Sequence, residues 1–192
     1  MSSHSPYDQP LQGKINWNDS EDKFHNSAAY TDSCLGDFFR KAQQQKWYKN
    51  TIFILVADHS HQTYRHYSID MKKYRHIPML WIGGALKSKY VGFKYDKIAS
   101  QTDLTTTLLK QMDINQPAFY WSKNLFNPNT RPFAYFELNK GFGWIKPEGF
   151  ISYDVIDGKF YKKQVVSEET EKQFLREGKA YVQVLFQTFL DL

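Results

Sequence analysis

Asp58, His59 and His61 are the residues of this chain whose types and spacing are best suited to chemistry. They follow an apolar run, residues 52–57, which is too short for a typical helix and predicts a fully buried strand, as in a parallel sheet. In open α/β sheets, ligands bind beyond the carboxyl ends of strands. A carboxylate beside an imidazole at such an end suits a divalent cation. The alternative is that Asp58 caps a turn and that His59 is an ordinary loop histidine.

Two further segments carry side chains of catalytic or binding type. The polar segment 62–73 is predicted to be a loop over the strand edge, and it contains Arg65 and His66. A guanidinium matches the oxygens of an anionic ester with paired donors, although a solvated surface loop explains these residues equally well. His4 lies in the polar, aperiodic segment 1–24, where an exposed histidine without a role is the alternative.

Composition limits the classes of function. The chain has 192 residues, which predicts one domain. Its formal net charge of +5 favours attraction to anionic esters or lipid headgroups. Because the basic residues are scattered, a nucleic-acid binder is less favoured. Cys34 is the only cysteine, which excludes an internal disulfide and a cysteine-based zinc site. The sequence shows no signal peptide and no run long enough to span a membrane, so we expect a soluble chain.

Periodicity predicts an α/β region followed by a small antiparallel sheet and a terminal helix, all within one domain. The boundary between the α/β part (1–114) and the remainder (115–192) lies in a loop rich in proline and asparagine. The predicted helices are 25–46, 100–112 and 167–192, the last with Ser167 as N-cap and with Phe174, Tyr181, Leu185 and Phe189 on one face. The predicted strands are 52–57, 77–82, 133–138, 141–145, 150–156 and 159–166, with Asp157-Gly158 as a two-residue hairpin turn.

Five stretches occur in an order that is more specific than any one of them. They are Ser3-His4-Ser5-Pro6-Tyr7, Tyr30–Gly36, Asn50–His59, His76–Leu80 and Ser100–Leu109. This succession resembles the C-terminal half of the sulfatase-like branch of the alkaline phosphatase superfamily, and within it the lipoteichoic acid synthase and phosphoglycerol transferase group. The resemblance spans residues 2–112, and the later sheet and terminal helix fit the end of that fold.

The resemblance implies an alkaline-phosphatase-like partial domain with a mostly parallel sheet, and a single divalent metal, commonly manganese, with zinc or calcium in relatives. The metal activates a threonine, serine or formylglycine that attacks the phosphorus or sulfur of an ester. By this resemblance Asp58 and His59 are the metal ligands, and His4 contacts the substrate and protonates the leaving group. The substrate-side residues are His61, Arg65 and His66.

The family places its nucleophile and first metal carboxylate upstream of every segment seen in this chain. We therefore expect a fragment of a metal-dependent sulfuric-ester hydrolase or phosphoglycerol transferase that supplies part of the site and is inactive alone. A non-catalytic module that binds an anionic polymer or a partner protein is the alternative. For the parent protein we expect an extracytoplasmic or membrane-associated location, and for the chain a homo-oligomer or a missing N-terminal half as partner. Sulfate and phosphate esters are not distinguished.

Overall fold

A computed structural model describes residues 4–11, 13–61, 67–114 and 119–191. By internal contacts the chain divides into two units, Met1–Asp58 with Pro78–Phe93, and His59–Ile77 with Lys94–Leu192. Helices and sheets both occur, which confirms the predicted α/β class. The boundary at residue 114 is predicted along the sequence, whereas these two units are defined by contacts, so that boundary stays a prediction.

The first unit begins with a loop and one long helix, α1 (Asp22–Ala42), which is followed by a 3₁₀ helix (Lys46–Asn50). Asp22 in the first turn, and Arg40 in the last, complement the helix dipole. The helix confirms the predicted segment 25–46 but ends four residues earlier, where the chain tightens into the 3₁₀ turn. Asn26 ties the preceding loop to α1, because its side chain donates to the Ile15 carbonyl and accepts from the Ile15 N–H, each at 2.8 Å.

The sheet of the first unit has two strands, β1 (Phe53–Val56) and β2 (Met79–Ile82), which pair antiparallel. The expectation of a fully buried strand with a parallel neighbour is therefore not met here, since β1 is partly buried and Val56 is exposed. A short apolar run predicts that a strand packs against something, but it does not specify the direction of the neighbouring strand. The Phe53 ring packs edge-on against those of Phe38 and Phe39, with centroids 5.7 and 5.1 Å away.

The second unit contains a four-stranded antiparallel meander, with the strands in sequence order. Its strands confirm the four predicted runs: β3 (Ala134–Leu138), β4 (Gly141–Lys146), β5 (Gly149–Asp154) and β6 (Lys159–Val165). The predicted two-residue hairpin at Asp157-Gly158 is a longer turn, residues 155–158. The Asp154 carboxylate closes this turn by accepting from the Ile156 and Asp157 N–H groups, each at 2.8 Å.

The two faces of this sheet bury different clusters. On one face Phe142, Trp144, Ile151 and Tyr153 pack against Phe174 of helix α3 (Glu168–Leu190). The other face is formed by Phe136, Leu138, Ile145 and Phe150. Burial of these side chains supplies the main favourable term that holds the second unit together.

Helix α3 is fixed at its start and along its length. The Ser167 hydroxyl accepts from the Thr170 N–H at 3.1 Å, which confirms the predicted N-cap. Further along, the Glu177 carboxylate accepts from Trp144 Nε1 at 3.0 Å, Lys146 Nζ at 3.1 Å and Gln173 Nε2 at 2.8 Å. Desolvation raises the pKa of Glu177, but these hydrogen bonds outweigh it, so the pKa lies below its ordinary value.

The predicted apolar face of α3 is only partly a core face. Phe174 is buried and Tyr181 and Leu185 are half-buried, but Phe189 is 70% exposed. A periodic pattern identifies one side of a helix without stating how far along it the packing partner extends.

Helix α2 (Asp103–Gln111) begins at a fully buried carboxylate. Asp103 Oδ2 accepts from the Ser100 N–H at 2.8 Å and lies 3.0 Å from Lys123 Nζ, while Oδ1 accepts from the Lys123 N–H at 2.9 Å. This carboxylate joins the start of α2 to the segment that leads into β3. Among the described residues, none of the helices combines the length and the apolar character that crossing a membrane requires.

Candidate functional site

Asp58 and His59 lie immediately beyond the end of β1, where the sequence places them. Pairing with the neighbouring strand continues to Ala57, whose N–H lies 3.4 Å from the Pro78 carbonyl oxygen, and the backbone then bends at Asp58 and His59. Both side chains are exposed. Asp58 is the last residue of its segment in the first unit, and His59 opens the first segment of the second unit.

The hydrogen bond of His59 fixes the form of its ring. Nδ1 lies 2.9 Å from the carbonyl oxygen of Ser60. A carbonyl oxygen can only accept, so Nδ1 carries the hydrogen, and the tautomer follows from this partner. In the neutral ring the lone pair is then on Nε2, which is the arrangement in which a histidine binds a divalent metal while its other nitrogen donates to a carbonyl.

His4 shows the same local arrangement in the first unit. Its Nδ1 lies 2.9 Å from the Ser5 carbonyl oxygen, and its own carbonyl accepts from the Tyr7 N–H at 2.7 Å, which closes a turn. The side chain is exposed. The neutral His4 ring therefore also has its lone pair on Nε2, and this nitrogen can accept a proton or, once protonated, donate one.

The other candidate residues are distributed differently. His61 is half-buried in the second unit, and Arg65 and His66 lie outside the described residues. Within residues 4–11, 13–61, 67–114 and 119–191, no three His, Cys, Asp or Glu side chains gather into a group that could hold a metal ion. A carboxylate oxygen and an imidazole nitrogen, which Asp58 and His59 carry, are each ligand types that divalent cations take, and a complete coordination sphere would need more ligands than these two.

Two residues that sequence reasoning missed support the segment that begins at His59. The Ser60 hydroxyl donates to the carbonyl oxygen of Tyr74. Next to Tyr74, the Arg75 guanidinium donates from Nε to the Ile69 carbonyl at 3.0 Å and from Nη2 to the Glu137 carbonyl of β3 at 3.3 Å. Burial lowers the pKa of Arg75. No sequence pattern announces these contacts, because they depend on which loop lies over which strand.

Several lysines of the second unit are paired with carboxylates. Lys159 Nζ lies 2.9 Å from Asp157, and Lys163 Nζ lies 2.7 Å from Glu171. On α3, Lys172 Nζ lies 2.6 Å from Glu168, one turn away. In each pair the carboxylate neutralises the lysine locally, so these three lysines add little to a positive surface field.

Comparison with known proteins gives a family match and a similar fold. Residues 1–114 match the model of the Sulfatase family, which is more than half of the 192 residues. The fold is similar to the crystal structure of a protein in the alkaline phosphatase superfamily from Vibrio parahaemolyticus, with a TM-score of 0.72 and 27% sequence identity. That match covers 98% of this chain and 48% of the other, so the chain spans about half the length of this relative.

Proposed function

The chain belongs to the sulfatase family, and from this premise we propose that it supplies part of the metal and substrate site of an enzyme acting on sulfuric or phosphoric esters. The observation that carries the proposal is the hydrogen bond from His59 Nδ1 to the Ser60 carbonyl, because it leaves the metal-binding lone pair on Nε2. Asp58 precedes this histidine at the end of β1 and offers the oxygen ligand.

In this proposal Asp58 and His59 hold a divalent cation, Mn²⁺ in the first instance, with Zn²⁺ or Ca²⁺ as alternatives. Such a cation, when bound, stabilises the negative charge that develops on the ester oxygens. His4 gives a proton from its ring nitrogen to the leaving oxygen. The binding of the remaining ester oxygens is assigned to His61, Arg65 and His66.

The finer assignment within the family is a phosphoglycerol ester, as in the lipoteichoic acid synthase and phosphoglycerol transferase group. It rests on the order of the five sequence stretches, and it places the parent protein at the outer face of a membrane, where it meets lipid headgroups. Since two donors do not complete a metal site, we further propose that ligands from a complementary polypeptide are required and that the chain alone turns over no ester.

A non-catalytic module that binds an anionic polymer is the second candidate, and the net charge of +5 favours it. The pairing of Lys159, Lys163 and Lys172 with carboxylates weighs against it, because a polyanion would have to compete with ligands already in place. A polyanion binder would lose affinity steeply with added salt and would be indifferent to substitution of Asp58.

The test is Mn²⁺ binding to the whole chain, measured by isothermal titration calorimetry and by electron paramagnetic resonance. We expect Asp58→Ala and His59→Ala each to weaken binding at least about tenfold. Asp96→Ala is the matched control, since Asp96 is exposed and forms an ion pair with the exposed Lys94 at 3.2 Å. Equal Mn²⁺ affinity in all four proteins would refute the metal assignment.

A second measurement addresses the reaction. We expect negligible turnover of nitrophenyl sulfate and of bis-nitrophenyl phosphate by the chain alone with Mn²⁺ present. Robust turnover that disappears in Asp58→Ala would show that the chain carries a complete site, and the preferred substrate would then decide between sulfate and phosphate esters.

A further inference from the structure

We propose that Ser60 and Arg75 are positioning residues that hold His59 in its metal-binding tautomer, with strand β3 as their support. The inference rests on the proposed function in so far as His59 is a metal ligand. All residues that carry it belong to the second unit.

Ser60 connects His59 to Tyr74 through two hydrogen bonds. Its carbonyl oxygen accepts from His59 Nδ1 at 2.9 Å, and its hydroxyl donates to the carbonyl of Tyr74. The hydroxyl therefore fixes the same residue whose carbonyl selects the tautomer of the ring. Because Ser60 is half-buried, it is better shielded from competing water than the exposed His59.

Arg75, which follows Tyr74 in a turn, connects that turn to the sheet. The turn is closed by hydrogen bonds from the Tyr74 N–H to the Met71 carbonyl and from the Arg75 N–H to the Lys72 carbonyl, both at 3.1 Å. The guanidinium then reaches the sheet, where Nη2 donates to the Glu137 carbonyl at 3.3 Å.

Packing reinforces this contact with β3. The central carbon of the Arg75 guanidinium lies 4.6 Å from the centroid of the Phe136 ring, and Phe136 is buried in the sheet. A planar guanidinium can stack on a ring and donate in two directions at once, whereas a lysine ammonium offers one point charge. Arg75 therefore fastens the turn to a rigid element, and Ser60 transmits that position to His59.

The test uses the whole chain without metal and reads the ring directly. Two-bond proton–nitrogen correlation spectra of ¹⁵N-histidine-labelled protein, recorded at a pH where the ring is neutral, report which nitrogen carries the hydrogen. The variants are Ser60→Ala, Arg75→Ala and Arg75→Lys. Ser33→Ala and Arg131→Ala are matched controls, since both residues are exposed and lie outside the turn that contains Tyr74 and Arg75.

We expect the hydrogen of the wild-type His59 ring on Nδ1, and a mixture of both tautomers in Ser60→Ala, Arg75→Ala and Arg75→Lys. The same three variants are expected to weaken Mn²⁺ binding roughly tenfold, and the double variant Ser60→Ala/Arg75→Ala no more than its worse single. The two controls should leave both readouts unchanged. Thermal unfolding of each metal-free variant separates a loss of positioning from a loss of fold.

Two results would overturn the proposal: a wild-type His59 ring protonated on Nε2, or nitrogen shifts that stay at wild-type values in both Ser60→Ala and Arg75→Lys. Ser60→Ala removes one hydroxyl and Arg75→Lys keeps the charge, so the test does not depend on Arg75→Ala being folded. If the wild-type chain binds no Mn²⁺ while the variants still shift the tautomer, the positioning stands and the proposed metal function fails.

Discussion

Replacing Asp103 by alanine should be among the most damaging single changes in the second unit. The carboxylate is fully buried and satisfies the Ser100 and Lys123 N–H groups, and its Oδ2 lies 3.0 Å from Lys123 Nζ. Removing it leaves two N–H donors and the Lys123 ammonium without this partner. The Lys123 side chain is only 17% exposed. Breaking a buried ion pair in this way costs about 3–5 kcal/mol. That loss approaches the whole stability of a marginal domain, which is about 5–15 kcal/mol.

The free energy of unfolding is measured by urea titration followed by circular dichroism. In thermal unfolding we expect the midpoint of Asp103→Ala to fall by roughly 6–20 °C. Asp96→Ala is again the control, because Asp96 and Lys94 are 72% and 86% exposed and such a pair contributes at most about 1 kcal/mol. Adding Lys123→Ala to Asp103→Ala should recover part of the loss. A cost below about 1 kcal/mol, or additive effects of the two substitutions, would refute the reasoning.

Three further predictions concern the sheet and α3. The hydrogen bond to Asp154 raises the pKa of Tyr161 from 10.0 to about 12. The stability that this hydrogen bond contributes is therefore present below pH 10 and lost as the pH rises through about 12. In an absorbance titration of tyrosinate, Tyr161→Phe should remove the ionisation step near pH 12. The folded-state pKa of Glu177 is lowered, so the stability that its charged form contributes is present above the ordinary carboxyl pKa of 4.5. The stability difference between wild type and Glu177→Gln should therefore shrink as the pH falls below that value. Gly178→Ala should cost about 1–3 kcal/mol in urea unfolding, since its Cβ would lie 2.1 Å from a ring carbon of Phe142.

Each of these has a result that contradicts it. A highest-pH tyrosinate step that persists in Tyr161→Phe would assign it to another tyrosine. A stability difference for Glu177→Gln that is constant from neutral to acid pH would show that the charge is not involved. Gly36→Ala is the control for Gly178, because there the atom nearest to the added Cβ is at the flexible end of Arg40, 3.3 Å away. We expect Gly36→Ala to stabilise the chain by about 0.4–1 kcal/mol, and equal costs at the two glycines would exclude overpacking.

The elements that sequence predicts well are those with a local cause. The four strands of the second sheet are separated by turn residues, and α3 begins after a serine whose hydroxyl caps it, so their limits are encoded within a few residues. The direction of the neighbour of β1 has no such local cause. An apolar run is compatible with either direction, and the structure shows an antiparallel one.

The candidate site divides in the same way. The position of Asp58 and His59 beyond a strand could be predicted, because an apolar run that ends in polar residues is a local signal. The support of His59 could not be predicted, since Arg75 donates to a carbonyl 62 residues further along the chain. The partners of Asp103 are similar, because Lys123 is 20 residues away and nothing in the intervening sequence announces the ion pair. Such contacts depend on tertiary packing, which composition and periodicity do not specify.

Two cationic side chains, those of Arg75 and Lys123, cover one edge of the second sheet. β3 is one of its two edge strands, and alternate carbonyls of an edge strand point away from the sheet. Phe133, which immediately precedes β3, and Glu137 within it have the same parity, and their carbonyls accept from Lys123 Nζ at 3.2 Å and from Arg75 Nη2 at 3.3 Å. A strand added at this edge would have to displace both side chains, so β3 is protected against pairing with another chain.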